Sequence, residues 1–301
     1  MPYDASGIRE WFRLCLRIKD TVQPLTFVVL PAGEYRLGTP DAAGAELGRR
    51  DNEEMTIVRL SRPVALCDRE VTWGLYDAMD GGIRRQSIGL QYSWKLESHH
   101  PACAVSWIEW VEFCRWLTSR IHGDDESLQC YEEPSKAEKD SEGNPITGSI
   151  RVDRGGFRMP TAAEWEAGVR SGQRTSFVFG GDAELLADYA WYAGNAGKKT
   201  ELAGRKRPSI GGLMDVHGNV FEYVHDWFGI TAVSEGPLVD PLGPLTGSRR
   251  AARGGSFVGG SEDCRVASRG AGAPGFRGAN MGLRLAITPL ALPGVSSQTK
   301  P

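Results

Sequence analysis

Residues 212–222 read Gly212-Leu-Met-Asp-Val-His-Gly-Asn-Val-Phe-Glu222. Two carboxylates, Asp215 and Glu222, flank a turn that contains Gly218. Such a turn can combine side-chain oxygens with intervening main-chain carbonyls into the shell of a hard cation. It can equally be a turn closed by hydrogen bonds, with Glu222 paired to one of the chain's many arginines. The residues alone leave both readings open.

On the N-terminal side of this turn lie Arg69-Glu-Val-Thr72, Ala104-Val-Ser-Trp107 and Arg158-Met-Pro-Thr161 with Glu164-Trp165-Glu166. Ser106 and Glu109 form a capping box, so a helix is expected from there to about Ile121, with Trp107, Trp110, Cys114 and Leu117 on one face. Thr161 and Glu164 form a second box, opening a helix that Gly172 ends. Asp68–Thr72 introduces a short helix through Met79. Phe27–Leu30, Glu34–Leu37, Met55–Leu60 and Pro63–Cys67 read as strands. From Ser171 onward short strands alternate with glycine-rich loops. The expectation is an α+β fold with short strands, two main helices and long irregular loops, in a single domain over residues 25–289. Residues 123–156, charged and punctuated by Gly and Pro, read as an insertion. Residues 1–24 read as an extension forming an amphipathic helix through Ile8, Trp11, Phe12 and Cys15, and residues 290–301 as a tail.

Composition narrows the function classes. The 301 residues carry a net charge of −3, with 41% hydrophobic and 24% charged residues. No global charge recommends nucleic acid or an anionic membrane as a partner. No apolar run approaches the roughly 18 residues of a membrane span. Without a secretory signal, the default compartment is the cytoplasm and the default state a monomer. The six cysteines show no metal-knuckle spacing and are expected as buried thiols. The 38 glycines and nine tryptophans suggest long loops pinned by aromatic anchors.

In order along the chain, over roughly residues 25–287, these motifs resemble the formylglycine-generating-enzyme, or sulfatase-modifying-factor, family. The resemblance implies a C-type-lectin-like fold. It also implies calcium held by the residues at Asp215, Gly218, Val220 and Glu222. The family's name enzyme uses copper(I) on two thiolates placed shortly after the Gly-Gly-Ser segment. This chain offers only Cys264 there, and a branch using iron on three histidines needs a helical domain that is missing. No copper or iron is therefore expected. His217 and His225 read as hydrogen-bonded structural groups, and Ser256 lacks the strand–elbow–helix setting of a nucleophile. The expectation is a non-enzyme. The alternatives are a metal-dependent oxidase or oxygenase of the family type, or a regulatory domain of a longer protein.

Residues 253–284 depart from the family most informatively. Relatives commonly carry Trp and many Asn at positions that here read Phe257, Val258, Gly259, Gly260, Asp263, Ser268, Gly270, Ala271, Gly272, Ala273, Gly275, Phe276, Gly278 and Ala279. The framework between them keeps the family pattern, including Gly254, Gly255, Ser256, Cys264, Arg265, Arg277, Asn280 and Arg284. Randomising the two adenines of an AAC codon reaches Gly, Ala, Val, Asp, Ser and Phe, which are the residues found. That pattern resembles the variable proteins of diversity-generating retroelements. It implies a hypervariable ligand-binding face on a rigid scaffold, with an unidentified protein or other macromolecule as partner. Gly259, Ala271, Ala273 and Ala279 are then expected to accept larger side chains, while Arg265 and Arg284 hold loops in place.

Overall fold

A computed structural model describes residues 11–18, 21–39, 49–133, 138–139, 145–146, 150–229 and 236–289. The N-terminal half supplies strands β1 (Trp11–Ile18), β2 (Thr21–Leu30), β3 (Gly33–Leu37), β4 (Thr56–Leu60) and β5 (Val64–Cys67). Helices α1 (Trp73–Asp80), α2 (Ile83–Tyr92) and α3 (Trp107–His122) follow. After the short hairpin β6 (Glu138–Lys139) and β7 (Pro145–Ile146) come α4 (Ala162–Arg170) and the single turn α5 (Leu186–Tyr189). The chain then alternates loops with β8 (Phe221–Trp227), β9 (Leu238–Val239), β10 (Arg250–Arg253), β11 (Gly270–Gly272), β12 (Met281–Leu283) and β13 (Ala286–Ile287).

The strands form two four-stranded sheets, ordered β1-β2-β5-β13 and β11-β10-β8-β12, and a three-stranded sheet β3-β4-β9. β2 and β5 lie at the centre of the first sheet and are buried on both faces. Phe27, Ala65 and Cys67 join one core cluster, with Trp73, Trp107, Trp110 and Phe113 of α1 and α3. Val28, Leu30, Val64 and Leu66 join a second, with Trp165 of α4. Covering both faces explains why Phe27–Leu30 and Val64–Cys67 are continuous apolar runs rather than alternating ones. The second sheet pairs β8 with β12 in parallel, Phe221 opposite Met281, and so sets the 215–222 turn beside the closing Arg284.

Both expected capping boxes are formed: Ser106 accepts from the Glu109 N–H, and Thr161 from the Glu164 N–H. The expected N-terminal helix is replaced by a strand. β1 runs antiparallel to β2 from Trp11↔Val28 to Ile18↔Thr21. Phe12, Leu14, Leu16 and Ile18 alternate with Arg13 and Arg17, and that period of two overrides the helical spacing of Ile8, Trp11, Phe12 and Cys15. Residues 1–10 lie outside the described ones, as do 290–301. The insertion is tied to the core at its ends by the buried Cys130, Tyr131 and Ile150. Among the described residues no helix is long and apolar enough to cross a membrane. Cys67, Cys103, Cys114, Cys130 and Cys264 are buried free thiols.

Candidate ligand-binding face at the C-terminal segment

Residues 253–284 divide into a buried frame and outward tips. The frame rests on arginines taken out of water and paired with carboxylates. Arg265 makes a bidentate pair with Glu53, 2.7 Å on each arm, and both side chains are essentially inaccessible. Arg284 grips Glu222 at 2.6 Å and also donates to the carbonyls of Cys67 and Met214 at 2.9 and 2.7 Å. Arg253 pairs with Glu166 and donates to the carbonyls of Ala267 and Ser268. Each guanidinium therefore ties loop carbonyls or a distant carboxylate to the sheet through charge-assisted bonds. Gly254 and Gly255 turn the chain at φ +93° and +76°. A Cβ on Gly255 would lie 2.8 Å from the Cys264 sulfur, so both the space and the backbone require glycine there.

The fourteen positions expected to vary are not all on the surface. Val258, Ala273, Gly275 and Phe276 are exposed, while Gly260, Asp263, Gly270, Ala271 and Ala279 are partly so. Phe257, Gly259, Ser268, Gly272 and Gly278 are buried, which corrects the expectation that they line an exposed face. The physical reasons are local. Phe257 packs edge-on against Trp94, with ring centroids 5.5 Å apart, and donates its N–H to the Asn219 carbonyl. Ser268 gives its carbonyl to Arg253. A Cβ on Gly272 would meet the Tyr223 hydroxyl at 2.4 Å, and one on Gly259 would meet Asp263 at 3.0 Å. Gly259 is therefore crowded, contrary to the expectation that it accepts a large side chain. Asp263 serves the frame as well, because Arg50 reaches across to its carboxylate at 2.5 Å.

The 215–222 turn is assembled from the same frame. Asp215 is buried in the left-handed region at φ +58°, and its Oδ2 accepts from the Gly204 N–H. Its Oδ1 has no hydrogen-bond partner. Burial, countered in part by Gly204 and Arg284, pushes the Asp215 carboxyl up to about 6. Glu70, beside it, is pushed well above the carboxylate range by burial and by the charges of Asp215 and Glu222. The fit to a hard cation is at one end only. Both Glu222 oxygens are engaged by Arg284, and one also accepts from the Trp165 indole at 2.5 Å. Asp215 Oδ1 and the carbonyls of Gly218 and Val220 are the groups that would hold calcium. Among the described residues no group of three or more His, Cys, Asp or Glu converges as a metal cage.

Among the described residues no pair of cysteines fits a two-thiolate copper site. Cys264 is sealed against Phe177, Leu186 and Ala190, and burial pushes its thiol far up. Cys67, Cys103, Cys114 and Cys130 belong to a different core cluster. His217 is held as a neutral structural group. Its Nε2 accepts from the Val178 N–H at 3.0 Å, its Nδ1 lies 2.7 Å from the Cys264 carbonyl, and burial lowers it to about 4. His225 is likewise buried and lowered, beside Trp107, Tyr131 and the cationic Arg250.

One element near this face was not anticipated. Helix α2 buries only Ile88, leaving Ile83 and Leu90 74% and 83% exposed, so it lacks a core-facing stripe that periodicity could reveal. Tyr92 at its end stacks on Trp94, which in turn meets Phe257. Its sequence, with Arg84, Arg85, Gln86, Ser87 and Gln91 set among Ile83, Ile88, Leu90 and Tyr92, carries no capping box and no apolar stripe that would have marked a helix.

Comparisons with known proteins agree with this architecture. The solved structure of Treponema denticola variable protein 1 superposes with a TM-score of 0.75 at 26% identity, covering 92% of this chain and 99% of that one. PvdO from Pseudomonas aeruginosa shares the fold, with a TM-score of 0.62 at 22% identity over 88% of this chain and 94% of that one. The formylglycine-generating enzyme of Streptomyces coelicolor is 36% identical over 147 residues, 44% of this chain and 46% of that protein. The chain spans about half the length of such sequence relatives. The family profile described as sulfatase-modifying factor enzyme 1-like domain matches residues 17–289. With that match spanning nearly the whole chain, the protein belongs to the sulfatase-modifying factor enzyme 1-like family.

Proposed function

We propose that this chain is a non-catalytic ligand-binding protein that displays residues 253–284 as its binding face, a variable protein of a diversity-generating retroelement. The observation that carries the reading is the division of that segment. Val258, Ala273, Gly275 and Phe276 face solvent. Before, between and after them, Arg253, Arg265 and Arg284 are locked to Glu166, Glu53 and Glu222. A face whose tips can change while its frame is held elsewhere is what display of diversity requires. The likeness to a protein named as a variable protein, over 92% of the chain, supports it. Its ligand is a protein or other macromolecule met by the exposed tips, and the oxidase reading lacks the thiolate pair that copper(I) needs.

The test is a set of thermal melts. Ala273→Tyr, Ala271→Tyr and Ala279→Tyr are expected to unfold cooperatively within about 0.5 kcal/mol of the parent, the usual range for surface changes. Aggregation or a loss of several kcal/mol in all three would mean that this segment is core, and the binding face would be lost.

Calcium is a structural adjunct in this reading, held by Asp215 Oδ1 with the carbonyls of Gly218 and Val220. Millimolar calcium is expected to raise the melting temperature of the parent and not that of Asp215→Asn. A parent melt indifferent to calcium and to chelator would remove the ion from the account.

A further inference from the structure

The ion pairs of residues 253–284 differ in how deeply they are buried. Arg253, Arg265 and Arg284 are sealed with their carboxylates, whereas Arg50 and Asp263 meet at 2.5 Å with 43% and 25% of their side chains exposed. This pair joins a residue outside the segment to one of the positions that read as variable. Arg50 Nη1 also donates to the Arg269 carbonyl at 3.2 Å and lies 3.5 Å from the Ser268 hydroxyl. The Asp263 carboxylate packs over Gly259, where an added Cβ would stand 3.0 Å from its Oδ2. Next to Gly259 is the exposed Val258.

Neither end of the pair depends on it for its position. On the Arg50 side, the Glu53 N–H donates to the Arg50 carbonyl at 3.0 Å, and the Glu53 carboxylate is clamped by Arg265. On the Asp263 side, the N–H groups of Gly259, Asp263 and Cys264 donate to the carbonyls of Ser256, Gly260 and Ser261 at 3.0, 3.2 and 3.1 Å. These main-chain turns hold the loop whatever side chain position 263 carries. Shortening Asp263 therefore leaves a guanidinium in place, with room in front of it for one carboxylate. The other charges around it are accounted for. Arg269 is occupied with the carbonyls of Asn52 and Gly229. Two exposed carboxylates compete for Arg50: Glu262, which lies against Gly260, and Asp51, its neighbour in the chain.

We propose that Arg50 is a fixed carboxylate-binding contact of the ligand face, masked in this chain by Asp263 and uncovered when position 263 changes. Its occupant is an Asp or Glu side chain of a protein ligand. The Asp263 side chain is the argument for that chemistry, because it already sets a carboxylate between Arg50 and Gly259, and a ligand's carboxylate takes the same place. The proposal rests on the display reading, since it needs position 263 to vary. Of the residues reached by randomising the two adenines of an Asn codon, Gly, Ala, Val and Ser uncover Arg50, while Asp masks it. One position thus switches this part of the face between neutral and cationic on an unchanged scaffold. A guanidinium facing a carboxylate adds direction as well as charge to recognition, and an exposed pair contributes little to stability, so the fold tolerates its loss.

The experiment uses the full chain and two probe peptides, acetyl-Ala-Asp-Ala-amide and its Asn counterpart, titrated at millimolar concentration and followed by NMR of the arginine side-chain N–H groups. The parent should not distinguish the two. Asp263→Ala should bind the Asp peptide about fivefold or more tightly than the Asn peptide. Asp263→Ala combined with Glu262→Gln should be more selective still, because the neighbouring carboxylate no longer competes. Adding Arg50→Gln should erase the preference, and a thermal melt checks the fold of each variant. A preference for the Asp peptide that is already present in the parent, absent from both Asp263→Ala variants, or unaffected by Arg50→Gln overturns the proposal. The display reading fails separately. If the peptides behave as expected while no near-copy of the coding segment differs at adenines of codon 263, Arg50 stands as a masked contact without a diversified mask.

Discussion

Arg284 and Arg265 carry more of this structure than any exposed residue of the face they support. Each is buried with its carboxylate, so neutralising one partner strands a charge in a dry interior. Arg284→Ala should cost about 3–5 kcal/mol by leaving Glu222 unpaired, and Arg265→Ala a similar amount by leaving Glu53 unpaired. Chemical denaturation of both variants checks this; losses below about 1 kcal/mol would show that water reaches the abandoned carboxylates. His217 supplies a pH signature. Its value falls from about 6.5 in an unfolded chain to about 4 when folded, because burial disfavours the imidazolium. Its contribution to stability is therefore whole above about pH 6.5 and is lost as the pH falls toward 4. Asp226, raised to about 6 chiefly by burial, runs the other way and costs stability as the pH rises through 6. The comparison of parent with His217→Gln isolates the histidine: the parent should lose more stability between pH 6.5 and 4 than the variant, and parallel curves would refute the assignment.

Strand β11 shows how a single element mixes the two kinds of position. Ala271 pairs with Ala251 and is partly exposed, whereas its neighbour Gly272 has its face filled by Tyr223 and Phe276. Gly272→Ala should cost about 1–3 kcal/mol as an overpacked site, while Ala271→Tyr costs little. Equal melts for the two would mean that the strand can shift away from β8. This distinction was out of reach of the sequence, where Gly270-Ala-Gly-Ala273 is a run of small residues with no marker of facing. The capped helices α3 and α4 were legible because their boxes are local, four-residue chemistry. The strand at Trp11–Ile18 was misread because Ile8, Trp11, Phe12 and Cys15 also fit a helix, and only pairing with β2 selects the period of two. Helix α2 escaped notice because a helix that buries one residue leaves no stripe.

Across the whole molecule, the family motifs turn out to be the places where distant segments meet. Glu70 accepts from Asn219, Glu166 binds Arg253 and the Gly38 N–H, Glu222 binds Arg284, and Asn280 reaches Ser256. That is why the order of motifs made the architecture readable, while the partners of Glu222 and Asp263 depended on side-chain geometry that spacing does not encode. The same network leaves the outward positions energetically cheap to change. The most direct test of that division's meaning is the DNA around the coding sequence. If this chain is a displayed variable protein, sequencing will find a near-copy of codons 257–279 beside a reverse-transcriptase gene, differing from them at adenines of the copy. Absence of any such repeat from the complete genomic locus, or a repeat whose differences fall on all four bases alike, would contradict the account.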